Sequence, residues 1–480
     1  MKKYLVFFFA GLISLPAFAQ GYQINFKAAG YASGITYLTY YMGGNFNIAD
    51  SAAIGNNGAA IFKGSERLPP GIYAIFFPGK QIRVEFLIGK EQSISVTADT
   101  SDLLNKTLVI GSKENVLYDQ YQKVAATKGR LIQQELNAFM ASTSREDSLR
   151  HEKNYTNYNK ELNDYREGII KNQPNSMMAA LLNAIKEPAL PKMVPITKQD
   201  SINNYTLYKK HYWDGISFMD DRIIRTPFFL KKIERYYREV ISPEPDTIIK
   251  DVDYKLLLAR SSPEMYKFLL NWITDEFINP KYMGQDAVFV HLFEKYHSQG
   301  LSPWLNEKQM ESISRRAYML MANLIGEKGA DLEMLNTENK ATSLYGLSAD
   351  YTIICFWDPN CGHCKEEVPR LDSIYRASWK EHRVKIFAVL TPENKQNITP
   401  EWISFIKDHN LEDWTHVYKA KEMEEADYAA QKPSFRQLYD ITLTPTLYLL
   451  DKDKRIIGKK LTLLQLNDLL KVKWNNPTSK

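Results

Sequence analysis

Residues Phe356 to Leu371 read FWDPNCGHCKEEVPRL, and within them Cys361 and Cys364 stand two residues apart. That spacing suits thiol-disulfide exchange. A thiol exposed at the start of a helix is drawn toward thiolate by the positive end of the helix macrodipole. A second thiol one turn later can then attack the mixed disulfide that the first one forms. The third cysteine, Cys355, is close by, so all 3 cysteines of the 480-residue chain fall within ten positions. A disulfide-stapled exported protein would spread an even and larger number along its length, so these cysteines are expected to react rather than to brace.

The elements that must hold this pair follow from composition and periodicity. Residues 1–19 have the form of a cleaved export signal: Lys2 and Lys3, an apolar run from Tyr4 to Leu15 too short to span a bilayer, and Ala17-Phe18-Ala19 before Gln20. No cysteine follows the cleavage site and no later run reaches the length of a membrane span. The expected location is therefore periplasmic or secreted, without a lipid anchor or stable membrane insertion. Removing the two lysines lowers the formal charge from +5 to +3. So mild a basicity argues for no nucleic-acid or acidic partner.

The length exceeds what one core usually supports, and three parts are expected after the signal. Residues 20–112 alternate short β-patterned stretches (Gly34–Tyr41, Ala59–Phe62, Ile72–Phe77, Arg83–Ile88, Ser93–Ala98) with Gly, Asn and Pro turn signals, which predicts a β-sandwich. It carries no cysteine and no histidine, so a scaffolding or interaction role is expected. Residues 113–328 are charged and helical in period, with helices predicted over 115–140, 146–171, 176–186, 228–241, 263–278, 285–298 and 307–327. Ser262-Pro263-Glu264 supplies a start signal for one of them. Within this part His291 and His297 lie six apart, on different helix faces, unlike a helical zinc pair. The acids of His211-Tyr212-Trp213-Asp214 and Met219-Asp220-Asp221-Arg222 read as caps of a turn between helices. No metal is expected.

Residues 329–480 change pattern again. A hairpin around 332–344 leads into an apolar strand over 352–357, then a helix from Cys364 to Ser378 interrupted by Pro369. After it come a strand over 384–390, a helix over 400–410, a charged stretch at 419–432, a short helix over 435–439, strands over 446–451 and 455–459, and a helix over 464–473. This order predicts an α+β arrangement with a mixed sheet. Phe356-Trp357, Cys361-Gly362-His363-Cys364, Pro369 and Thr444-Pro445-Thr446 occur in the order seen in the thioredoxin superfamily, which this region resembles. The hairpin and the long stretch before Pro445 are most similar to the TlpA-like thiol-disulfide oxidoreductases of bacterial envelopes. The expected architecture is thus multidomain, with an N-terminal β-sandwich, an α-helical middle domain and a C-terminal α/β thioredoxin-like fold.

The resemblance implies Cys361 as the attacking thiolate and Cys364 as the resolving thiol of a redox-active disulfide. It implies a cis Pro445 that keeps the Thr444 backbone free to pair with substrate, and Trp357 beside it in substrate binding. His363 between the sulfurs can carry positive charge, stabilise the reduced form and make the pair more oxidising. Many relatives place an acid six residues before the first cysteine, where this chain has Cys355. A buried thiol is a poor base, so the proton of Cys364 must leave through water, Asp358, Glu366 or Glu367. Cys355 itself is expected to be redox-inactive.

A peroxidase of the same fold would want threonine at 358 and proline at 354, where Asp358 and Ile354 stand. The function expected is disulfide exchange with envelope proteins, with no metal or organic cofactor and with a membrane-bound thiol partner supplying or accepting electrons. The alternative is an envelope binding or assembly protein in which the redox domain is accessory.

Overall fold

The structure is a computed structural model that describes residues 21–188, 194, 196–392 and 400–475. The expected export signal at 1–19 lies outside the described residues. Contacts divide the chain into two compact units, one of Met1–Ile241 with Lys255–Phe268 and one of Ser242–Tyr254 with Leu269–Lys480. The helical middle contributes to both. Among the described residues no helix is long and apolar enough to cross a membrane.

The first unit begins with eight strands: β1 (Tyr22–Ala29), β2 (Ile35–Met42), β3 (Asn45–Ala53), β4 (Ala59–Gly64), β5 (Gly71–Phe76), β6 (Arg83–Ile88), β7 (Ser93–Asp99) and β8 (Leu108–Ile110). They form two four-stranded sheets, β4-β1-β7-β8 and β3-β2-β5-β6. Alternate residues of both sheets (Ile24, Phe26, Phe62, Tyr73, Ile75, Phe86, Val96) meet in a shared core, the geometry of a β-sandwich. The β3-β2-β5-β6 sheet buries its other face as well. Tyr41, Ile72 and Leu87 pack with Tyr118, Ile169, Met178 and Leu182 of the helices Lys113–Ala141, Arg145–Asn172 and Met177–Ile185. Asn115 fixes the first of these helices by accepting from the Leu87 amide at 2.7 Å and donating to the Leu87 carbonyl at 2.8 Å.

Two helices that the periodicity did not suggest are Lys198–His211 and Pro245–Ala259. The former buries none of its residues, so it has no apolar stripe to detect; a Thr197/Asp200 capping box starts it instead. The acids after it do act as turn groups. Asp214 meets His211 at 2.7 Å, and Asp220 caps the Arg222 amide while holding the Arg222 guanidinium.

The second unit is built on a seven-stranded mixed sheet in the order β10-β9-β13-β12-β11-β14-β15. Its strands are β9 (Met334–Asn336), β10 (Ala341–Thr342), β11 (Tyr351–Trp357), β12 (Val384–Leu390), β13 (Thr415–Tyr418), β14 (Thr446–Leu450) and β15 (Ile456–Lys459). Both faces of its centre are buried, which is why β11, β12 and β14 read as continuous apolar runs. Ile353, Cys355, Trp357, Ile386, Ala388 and Leu447 face one cluster, and Ile354, Phe356, Phe387, Val389 and Tyr448 face the other. The Gly362–Ile374 helix covers the first face and runs through Pro369 without the break expected there, continuing as a wider turn to Trp379. β13 and the Lys421–Ala429 helix occupy the region read from sequence only as a charged stretch and its approach.

His416 on β13 is buried behind β11. Its Nε2 lies 2.9 Å from the Leu411 carbonyl, its ring is stacked on Trp414, and burial pulls its pKa down to about 4. His297, enclosed between Thr274 and Ser302, is pulled down to about 4 by the same cause. A histidine with a depressed native pKa contributes its stability fully above its ordinary 6.5 and loses it as pH falls toward 4, because only the unfolded chain takes the proton. Each site can cost on the order of 3 kcal/mol across that window. The urea midpoint of the second unit's transition is therefore expected to fall between pH 7 and pH 4.5, and less steeply in His416→Gln. An unchanged midpoint would contradict the buried neutral assignment.

Candidate active site

β11 delivers the chain to the site. After Trp357 the backbone turns through Asp358-Pro359-Asn360, where the Asp358 carboxylate accepts from the Asn360 amide at 2.8 Å and its carbonyl accepts from the Cys361 amide at 3.1 Å. Cys361 is thereby set as the N-cap of the Gly362–Ile374 helix, extended at φ −75° and ψ 125°, just where the helix leaves amide N–H groups unpaired. It is partly exposed, whereas Cys364 one turn on is fully buried.

The two thiols are therefore inequivalent. Burial works against ionising Cys361, but hydrogen bonding from the Thr444 side chain and from the Cys364 and His363 groups of the first helical turn outweighs it, and the thiol lies below its ordinary value. Burial, reinforced by the neighbouring Cys361 sulfur, pushes the Cys364 thiol up to about 12. Cys355, fully enclosed, is raised well above the ordinary thiol value by burial and by its neighbour Cys364. All three are free thiols here.

Thr444 and Pro445 face this pair from the loop before β14. The Thr444–Pro445 peptide is cis, and the Thr444 carbonyl accepts from the Cys361 thiol at 3.3 Å. The loop is gripped at its base. The buried carboxylate of Asp440 accepts from Arg316 Nη1 at 2.7 Å and from Lys460 Nζ at 2.5 Å. Although burial opposes its ionisation, those two partners hold Asp440 below the usual carboxylate range. Sequence pattern gave no hint of Asp440 or Arg316, because they are 124 positions apart and neither sits in a motif.

A groove of about 630 Å³ lies beside the site, with Cys355 in its floor and His363, Glu367, Thr444, Pro445 and Leu464 among its walls. Leu443 and Leu464 expose 77 % and 70 % of their surface beside the cis-proline, which makes the rim apolar. Of the three acids weighed as proton acceptors, only Glu367 lines this groove; Asp358 is engaged with Asn360 and Glu366 is exposed away from it. His363 is exposed on the groove wall. Trp357 is placed otherwise than the sequence reading put it. Its ring is fully buried against Phe405 and His416, so it shapes the core behind the cysteines instead of touching a substrate.

Residues 325–459 match the family model described as AhpC/TSA family, and residues 22–118 match the one described as a domain of unknown function, DUF4369. No curated protein matches the chain. Among solved structures, the chain is similar to a thioredoxin-like protein from Bacteroides caccae at 21 % identity, over 60 % of this chain and 98 % of that one, with a TM-score of 0.44. It is also similar to a domain of a possible thiol-disulfide isomerase from Cytophaga hutchinsonii at 30 % identity, over 33 % and 97 % of the two chains, TM-score 0.28. A third is the thioredoxin domain of a thiol-disulfide oxidoreductase from Bacteroides vulgatus at 22 %, over 31 % and 96 %, TM-score 0.26.

The inequality of the thiols is directly measurable. With the reduced protein at pH 7, iodoacetamide is expected to label Cys361 while Cys364 and Cys355 stay unmodified until the chain is denatured, as read by peptide mass spectrometry. Equal labelling of Cys361 and Cys364 in the folded protein would contradict the geometry.

Proposed function

We propose, because residues 325–459 match the AhpC/TSA family model and hold a CxxC facing a cis-proline, that this protein is an exported oxidoreductase that exchanges disulfides with other proteins of the cell envelope. The observation that carries the reading is the placement of Cys361: partly exposed at a helix N-cap, below its ordinary pKa, and 3.3 Å from the carbonyl that precedes a cis-proline.

In the reducing direction the Cys361 thiolate attacks one sulfur of a substrate disulfide, forming a mixed disulfide and releasing the other substrate sulfur as a thiolate that takes up a proton. Cys364 then gives up its proton and attacks the Cys361 sulfur. The Cys361–Cys364 disulfide forms, the second substrate thiol leaves, and two electrons have passed to the substrate. Burial of Cys364 keeps it protonated until the mixed disulfide forms, which limits premature reaction. Glu367, on the wall of the neighbouring groove, is the carboxylate assigned to take that proton. The apolar rim of Leu443 and Leu464 suits partly unfolded or loop segments of a protein substrate, whose backbone can pair at Thr444.

His363 beside the thiolate favours the reduced form, which places the pair toward the oxidising and isomerising end of the family. Electrons are returned or removed by a membrane-bound thiol partner. The peroxidase reading lacks its threonine, since Asp358 spends its carboxylate on the Asn360 amide.

Reduction of insulin disulfides by the mature protein with dithiothreitol as donor is expected to fall to background in Cys361→Ser. The fold should be unchanged by circular dichroism. Activity retained in that variant would refute the redox assignment.

A further inference from the structure

The active-site groove does not end at Leu464. Lys460 and Leu461, which line it, also line a second groove of about 590 Å³, so the two grooves adjoin beside β15 and the Leu463–Asn475 helix. The far wall of this second groove is the stretch from Asn279 to Asp286, which precedes the 325–459 family match and joins the Pro263–Phe277 and Asp286–Leu292 helices. Tyr282 and Met283 of that stretch each expose 48 % of their surface, giving the wall an apolar tip.

Its floor is built from buried charge. Lys459, itself nearly enclosed, donates to Asp286 Oδ2 and to both the carbonyl and the side-chain oxygen of Asn323. Asp440 takes Arg316 and Lys460. The second oxygen of Asp286 has no hydrogen-bond partner although the residue is only 2 % exposed. A buried carboxylate oxygen left in this state is one that an incoming N–H can satisfy.

The buried acids are thus already matched by Lys459 and Arg316. What the rim adds is Lys281 and the donors of Lys460 not used by Asp440, against the single exposed acid Asp468. The balance is cationic. A Lys ammonium carries three donors, so Lys460 can hold Asp440 and still meet a second anion.

We infer that the second groove is a docking site for the substrate protein itself, receiving an extended segment that flanks the reactive cysteine and carries an acidic side chain. This rests on the disulfide-exchange reading of Cys361 and Cys364. Thr444 would take the backbone next to the disulfide, Leu443 and Leu464 the adjoining apolar residue, and the Lys460–Lys281 rim the acid farther along. Because the wall comes from the helical region and not from the redox domain, it provides a physical reason for the two to share one unit of the fold.

The probe is a set of three fluorescent peptides, identical except for Glu, Gln or Lys at the positions flanking a serine that replaces the reactive cysteine. Their binding to the full mature chain carrying Cys361→Ser and Cys364→Ser reads docking without chemistry. The Glu peptide is expected to bind about threefold to fivefold tighter than the Gln peptide, with the preference shrinking as salt rises and reversing toward Lys in Lys281→Glu. Equal affinity for the three peptides at low salt overturns the docking site, as does a preference that survives Lys281→Glu unchanged. The two readings fail separately. A protein that prefers the Glu peptide yet reduces no insulin refutes the redox function and keeps the groove, and one that reduces insulin with no peptide preference refutes the groove alone.

Discussion

A helix begins with amide N–H groups that have no partner inside the helix, and this protein places a sulfur at that point. Everything reactive about the site follows from that constraint. Cys361 is held as an N-cap by the turn through Asp358, so the donors of the first turn oppose the burial that would otherwise raise its pKa. The same helical step that offers Cys361 to solvent carries Cys364 inward, where burial raises its pKa to about 12. One local geometry yields a partly exposed thiol of lowered pKa and a buried thiol of raised pKa.

Holding that geometry is the work of the sheet and of residues remote in sequence. β11 brings Trp357 to the turn and anchors it between Phe405 and His416, so the backbone entering the site has a rigid wall behind it. The opposing loop is fixed at Asp440 by Arg316 from the Glu307–Met321 helix and by Lys460 from the end of β15. Asn323 adds a bond from its side chain to the Leu438 carbonyl at 3.0 Å. The second unit therefore grips the cis-proline loop from helical elements ahead of the redox domain. The same few charged residues that position the loop also line the second groove.

Much of this was legible in the sequence because it repeats local patterns. The CxxC pair and Thr444-Pro445 marked two segments that the fold brings together, and apolar runs marked β11, β12 and β14, since strands buried on both faces leave no polar interruptions. Elements without a buried stripe stayed hidden: the Lys198–His211 and Lys421–Ala429 helices bury none of their residues, and β13 is four residues long. Trp357 was misplaced because an aromatic next to a reactive turn looks the same whether it faces substrate or core. Only the alternation along β11, with Ile353, Cys355 and Trp357 on one buried face, decides it. The Arg316–Asp440 contact and the second groove arise from long-range packing and have no sequence signature.

In the proposed function Cys361 and Cys364 form one two-electron couple while Cys355 stands aside. Equilibrating the protein without residues 1–19 in glutathione buffers of graded potential, then alkylating and mapping each cysteine, distinguishes this couple from any other. A single two-electron transition is expected in which Cys361 and Cys364 become disulfide-linked together, at a potential nearer about −180 mV than about −270 mV, with Cys355 reduced throughout. A disulfide that includes Cys355, or no bond between Cys361 and Cys364 at any potential, would contradict it.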